Sequence, residues 1–239
     1  RGLRAMMRQI VSAACGAWLL VAGQGVAQAT QGVVVELYTS QGCSSCPPAD
    51  ALMGELAEMP GVIGLALHVD YWDYIGWTDT FADAHYTARQ KAYAHAAGER
   101  MIYTPQMIVD GRLRVEGNQP GKVAAAIAQS SQTPSRIDLE LSKEGNQLQI
   151  HAASAGVIPD GTTVQLVRYK NNSEVEIGRG ENAGLTMDYH NIVTSWQKIG
   201  EWSGAQPLDM VANVNGPDAV AVIIQNAGPA EILAAARLK

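Results

Sequence analysis

The sequence predicts an α/β domain, a mixed sheet flanked by helices, followed by an antiparallel β-sandwich. Three observations predict it. Apolar, β-branched runs alternate with helical patterns as far as residue 130. The polar stretch Ser130-Ser131-Gln132-Thr133-Pro134-Ser135 reads as a linker. Beyond it, apolar residues recur at every second position. The predicted boundaries are 1–29 for a leader, 30–132 for the α/β domain and 133–239 for the sandwich.

The leader reads as a signal peptide. Arg1, Arg4 and Arg8 make a basic start, Ile10 to Val26 is apolar or small, and Ala27-Gln28-Ala29 has the small-x-small form of a cleavage site. Ser12, Gly16, Gly23, Gln24 and Gly25 interrupt the run, which makes it a poor permanent membrane span. The expected location is therefore periplasmic or secreted, with no stable span after cleavage; an uncleaved anchor is the alternative. Without residues 1–29, which hold three arginines and no acid, 14 basic side chains face 23 acidic ones, a net charge near −9. A surface of that sign disfavours nucleic acid and anionic lipid as partners. Cys15 leaves with the leader, so Cys43 and Cys46 remain, a dithiol/disulfide couple in an oxidising compartment.

In the first half, Val33 to Tyr38 reads as a buried strand. Pro47-Pro48-Ala49-Asp50 opens a helix with Leu52, Leu56 and Met59 on one face, and Pro60-Gly61 ends it. Val62–Val69 is a second strand, and a helix runs from about Asp79 to Ala97. Gln106–Val109 and Leu113–Glu116 form a hairpin across Asp110-Gly111, and Gly121–Ser130 is a short alanine-rich helix. In the second half, Ile137, Leu139 and Leu141 alternate with polar residues, as do Leu148 and Ile150 after the Lys143–Asn146 turn. Thr163–Tyr169, Leu208–Val214, Ala219–Gln225 and Glu231–Arg237 complete the predicted strands, although the alanines of the last equally suit a helix.

The chemistry lies at Cys43 and Cys46. A helix N-terminus lowers a thiol pKa through its unpaired N–H groups and dipole, and Cys43 sits just before the helix that Pro47 opens. Cys46, one turn on, is placed to attack a mixed disulfide at Cys43 and close the ring. The roles follow: Cys43 attacks and Cys46 resolves, with Cys43 expected to be the more exposed. Glu36, within the first strand, is a candidate proton acceptor, or else a side chain reaching the sheet edge. The aromatic run Tyr71, Trp72, Tyr74 and Trp77 is either a substrate surface or core packing between the halves. Tyr189-His190-Asn191, Trp196 and Trp202 form no catalytic pattern.

The residues Val35-Glu36-Leu37-Tyr38-Thr39, Cys43-x-x-Cys46 and Thr104-Pro105-Gln106-Met107-Ile108-Val109-Asp110-Gly111 resemble the thioredoxin superfamily, closest to its glutaredoxin branch. Tyr38 to Asp50, His68-Val69-Asp70-Tyr71-Trp72-Asp73-Tyr74-x-Gly76-Trp77 and Gly178-Arg179-Gly180-Glu181-Asn182 are similar to a secreted thioredoxin-like bacterial family of unknown function. The resemblance implies that Pro105 is a cis-proline facing the cysteine loop and that Thr104 presents its backbone to substrate. Gly42 and Ser44-Ser45 replace the Trp-Cys-Gly-Pro-Cys pattern, and Val115-Glu116-Gly117-Asn118 stands where glutaredoxins hold glutathione.

The expected function is a thiol–disulfide oxidoreductase with a protein or small-thiol partner, needing no cofactor beyond the Cys43–Cys46 disulfide and no metal. Two alternatives stay open. One is a binding or scaffold protein with a structural disulfide. The other is a copper-handling protein in which His68, His85 or His95 completes a soft site.

Overall fold

The structure, a computed structural model, describes residues 29–238. The expected signal peptide, Ala29 apart, and Cys15 lie outside them. Twelve strands and three helices follow the chain in this order: β1 (Thr30–Gln31), β2 (Val33–Thr39), α1 (Pro47–Glu58), β3 (Val62–His68), α2 (Ala84–Ala96), β4 (Gln106–Val109), β5 (Leu113–Glu116) and α3 (Pro120–Ser131), then β6 (Ile137–Glu144), β7 (Gln147–Ser154), β8 (Thr163–Glu176), β9 (Thr186–Glu201), β10 (Leu208–Asn213), β11 (Ala219–Gln225) and β12 (Ile232–Leu238). A one-turn 3-10 helix, Asp73–Ile75, lies between β3 and α2.

β2 and β3 are buried along their whole length, as parallel strands covered on both faces must be. Helix α1 carries the crossover between them. It lies close on β3 because Gly64 has no side chain: a Cβ there would stand 2.6 Å from Met53 Sδ. Valines 33 and 35 and Leu37 face α1 and α3, whereas Val34 and Tyr38 face α2.

The expectation of a helix-flanked, thioredoxin-like α/β domain followed by a separate sandwich is overturned. One nine-stranded mixed sheet runs through both halves in the order β1-β12-β11-β8-β9-β3-β2-β4-β5. Three α-helices cover one end of it; elsewhere the described residues form strands and the loops between them. The second sheet, β10-β7-β6, packs on β8, β11 and β12 over a core that includes Leu139, Ile150, Val164, Val222 and Ala236. The physical reason is the outer edge of β3. A buried, largely apolar strand cannot leave its backbone unpaired at an edge without a covering element, and β9 takes that place, joining at Ala66↔Ile192. The core beneath α2 then combines Val34, Leu67 and Ile108 with Val167, Val193, Ile223 and Ala235.

Candidate functional site

β2 ends at Thr39 and the chain turns through Ser40-Gln41-Gly42 into the cysteine loop. Cys43 and Cys46 form a disulfide with Cα atoms 5.4 Å apart. Cys46 is the N-cap residue of α1, and Ala49 and Asp50 donate their N–H groups to its carbonyl. Proline at the first helical positions leaves no amide unpaired there. Ser44 and Ser45 are exposed, but Cys43 and Cys46 are only 1% and 0% exposed. The expected contrast in exposure between the two cysteines is therefore absent in the oxidised pair.

The Thr104–Pro105 peptide bond is cis. It comes close to the cysteine loop: Ser45 Oγ lies 3.4 Å from Cys43 Sγ and donates to the Thr104 carbonyl at 3.4 Å. Trp72 Nε1 donates to Thr104 Oγ1 at 2.7 Å, and Tyr74, 81% exposed, stacks on the Trp72 ring. A Cβ on Gly42 would meet Trp72 and Ile75, so the loop lies against the 3-10 turn. Cys43, Cys46, Thr104 and Pro105 are thus brought together.

Glu36 is placed elsewhere. It is fully buried on the α2 face, where Arg89 Nε and a second guanidinium nitrogen donate at 2.7 and 2.8 Å and the Tyr38 and Tyr93 hydroxyls donate at 2.9 and 2.7 Å. Burial and then the Glu36 charge push both tyrosines well above the ordinary phenol range. None of these bonds reaches the cysteine loop. The copper-site histidines are also dispersed: His68 is buried at the end of β3, while His85 and His95 lie exposed in the first and last turns of α2. Among the described residues no three metal-ligating side chains converge.

Sequence reasoning missed the buried polar groups that surround the start of the cysteine loop. Asp50 is buried and accepts from Thr39 Oγ1 at 2.7 Å through one oxygen; its other oxygen has no hydrogen-bond partner. Burial raises its carboxyl to about 7, against a lowering pull from His68. His68 Nδ1 donates to Asp79 Oδ2 at 2.7 Å, and that oxygen also accepts the Gln41 N–H, whereas His68 Nε2 is buried without a partner. From the far half of the sequence, Asn182 Nδ2 donates to the carbonyls of Gln41 and Cys43 at 2.9 and 3.0 Å. One signal was legible: Asp50 shares the buried face of α1 with Met53 and Ala57, an acid where an apolar residue belongs.

Fold and site together define a β-rich protein carrying a Cys-x-x-Cys disulfide at the N-terminus of a helix. The chain belongs to the family described as "Protein of unknown function (DUF1223)", which it matches over residues 34–225. It is similar to a crystal structure of an Agrobacterium tumefaciens protein from a structural genomics consortium, with 31% identity and a TM-score of 0.74 over 86% of this chain and 93% of that one. HBP35 of Porphyromonas gingivalis shares the fold at 15% identity and a TM-score of 0.58, covering 86% of this chain and 74% of that one. A search of the curated proteins gives no match.

Proposed function

We propose that the protein is a thiol–disulfide oxidoreductase of the periplasm or extracellular space, acting on a protein or small-molecule thiol through Cys43–Cys46. The observation that carries this reading is the disulfide closed across the entry to α1, with the Thr104 carbonyl hydrogen-bonded to its exposed Ser44–Ser45 rim. An incoming thiolate attacks Cys43 Sγ, the S–S bond breaks, and Cys46 leaves with the electron pair. A second substrate thiolate then displaces Cys43, so two substrate thiols become a disulfide and the protein holds a dithiol; the reverse sequence reduces a substrate disulfide. The N-terminus of α1 favours the thiolate in either direction. The motif-level likeness to the thioredoxin superfamily at Cys43, Cys46 and the cis Thr104–Pro105 supports the same chemistry, and the leader pattern of residues 1–29 supports the location.

A second reading, a binding or scaffold protein with a structural disulfide, is favoured by the near-complete burial of both cysteines. Equilibration of the full chain with graded glutathione or dithiothreitol buffers decides between them. A midpoint between the potentials of those two reagents supports the oxidoreductase. A disulfide that stays closed in excess dithiothreitol, under conditions where the protein remains folded, overturns it.

A further inference from the structure

The turn between β8 and β9, residues 177–185, reaches the cysteine loop from the far half of the chain. Every residue of it is exposed except Ile177 and Asn182. The buried Asn182 amide donates to the carbonyls of Gln41 and Cys43 at 2.9 and 3.0 Å. Glycines let the turn come in close: a Cβ on Gly178 would stand 3.3 Å from the Trp77 ring, and one on Gly180 would meet Trp77 and the Ile75 carbonyl. Trp77 Nε1 in turn donates to Gln41 Oε1 at 2.8 Å. The turn is closed on itself by the N–H groups of Gly184 and Leu185, which donate to the carbonyls of Ile177 and Asn182 at 2.7 and 3.1 Å. The two cysteines beneath it are not equally held. The Cys46 carbonyl accepts the N–H groups of Ala49 and Asp50, which fixes it to the first turn of α1. Cys43 lies before the helix and is followed by the exposed Ser44 and Ser45; its carbonyl accepts the Cys46 N–H at 3.1 Å and the Asn182 amide. Two thiols stand further apart than two bonded sulfurs, so Cys43, with its carbonyl, is the one to shift when the disulfide opens. A hydrogen bond weakens steeply with such misalignment, and the Asn182 bond therefore fits the oxidised loop better than the reduced one.

Resting on the oxidoreductase reading, we propose that the β8–β9 turn is a redox-coupled latch on the cysteine loop, with Asn182 as its positioning residue. While the disulfide is closed, Asn182 holds the Cys43 backbone in the geometry of the bonded pair and stabilises the oxidised form. When two substrate thiols pass two electrons and two protons to the pair, becoming a disulfide themselves, Cys43 moves, the bond to its carbonyl weakens and the turn loosens from Trp77. The coupling is reciprocal: a turn that reduction releases must, while bound, hold the reduction potential of the pair down. The exposed turn, with Arg179 and Glu181 on it, then differs between the two states, and a partner can distinguish oxidised from reduced protein by it.

The test compares amide hydrogen exchange of residues 177–185 in the oxidised and reduced full chain, beside the midpoint of the pair in graded glutathione or dithiothreitol buffers for the wild type, Asn182→Ala and Asn182→Asp. In the wild type the Gly184 and Leu185 amides are expected to exchange about tenfold faster after reduction. Asn182→Ala should favour the dithiol form about tenfold more, a rise of about 30 mV for a two-electron couple. Asn182→Asp keeps the shape but turns a carboxylate on the two carbonyls, and should shift the midpoint at least as far. A residue that only supported the fold would weaken both redox forms alike and leave the midpoint in place. Equal exchange in the two states of the wild type overturns the latch whatever the variants do, as does an Asn182→Ala midpoint at the wild-type value. In both cases a disulfide that still cycles leaves the oxidoreductase reading standing. A disulfide that stays closed in excess dithiothreitol in the folded protein overturns both.

Discussion

Glu36 shows how a charge survives inside this sheet. Its carboxylate is wholly buried, and every donor it needs arrives from α2 or from its own strand. Burial pulls the Arg89 guanidinium down, but Glu36 beside it outweighs that and holds it above its ordinary range. The same guanidinium stacks over Trp196 at 3.8 Å, tying α2 to β9. Removing one member of such a pair leaves the other buried and uncompensated, which costs about 3–5 kcal/mol. Arg89→Met is therefore expected to lose that much in urea unfolding, and Glu36→Leu with Arg89→Met to recover most of it. A loss below about 1 kcal/mol in the single variant would show that water reaches the carboxylate. Asp50 behaves in the opposite sense, because burial raises its pKa in the folded state from 3.8 to about 7. The folded protein then binds more protons than the unfolded chain across that window, so stability is full below about 4 and falls as pH rises through about 7. Asp50→Asn removes the titration. It should match the wild type near pH 4 and exceed it at pH 8 by a few kcal/mol, on the order of 1.4 kcal/mol for each tenfold change in acidity. Melts at the two pH values check this; an equal gap at both would mean the carboxyl does not titrate with folding.

At the scale of elements, the cysteine loop, α1, the Asp110-Gly111 hairpin and the alternating β6–β7 pair were all legible, because each carries a local signal: proline at a helix start, a tight turn, a period of two. β9 was not. It runs for 16 residues beside a β8 twice as long as the stretch read as a strand, and the pairing shifts register near Val164 and near Arg168. Each bulge moves the side chains that follow to the other face, which erases the alternation. The polar part of the site was illegible for a different reason. His68 and Asp79 meet across a loop, and Asn182 reaches Cys43 from 139 residues away; no local pattern encodes such pairings. The junction of β9 with β3 is narrow, and Asn191 secures it. Its φ of 49° turns the side-chain amide onto the Gly64 carbonyl at 2.8 Å. Asn191→Gly keeps the backbone conformation and loses the hydrogen bond, at about 1–2 kcal/mol. Asn191→Ala adds the left-handed penalty of roughly 1 kcal/mol. Alanine should thus be the worse of the two, reversing their usual order within a strand. Thermal melts that rank alanine above glycine would refute the penalty assigned to the left-handed backbone at Asn191.

For the whole molecule, the question is whether the chain up to the Ser130–Ser135 linker can stand alone. Its core says it cannot. The face of β2 and β3 beneath α2 carries Val34, Tyr38, Ile63, Leu65 and Leu67, and these pack in one cluster with Val167, Tyr169, Val193, Ala221, Ile223 and Ala235 from beyond the linker. Fully burying an aliphatic or aromatic side chain stabilises by about 1.5–3 kcal/mol, so uncovering several of them exceeds the roughly 5–15 kcal/mol by which a typical domain is stable. The polar contacts point the same way. The Tyr86 hydroxyl donates to the Val193 carbonyl, a guanidinium nitrogen of Arg237 to that of Ala57, and the Asn182 amide to those of Gln41 and Cys43. Cutting the chain after Thr133 would strip β3 of β9 and leave an apolar strand edge open to pairing with other chains. A fragment of residues 30–133 is therefore expected to aggregate, or to keep secondary structure without a cooperative melt, whereas co-expression with 134–239 should restore a soluble complex with the Cys43–Cys46 disulfide formed. A fragment of 30–133 that is monomeric and melts cooperatively would show that the β2–β5 end folds without its partner strands, and the shared core would then be an interface between two units.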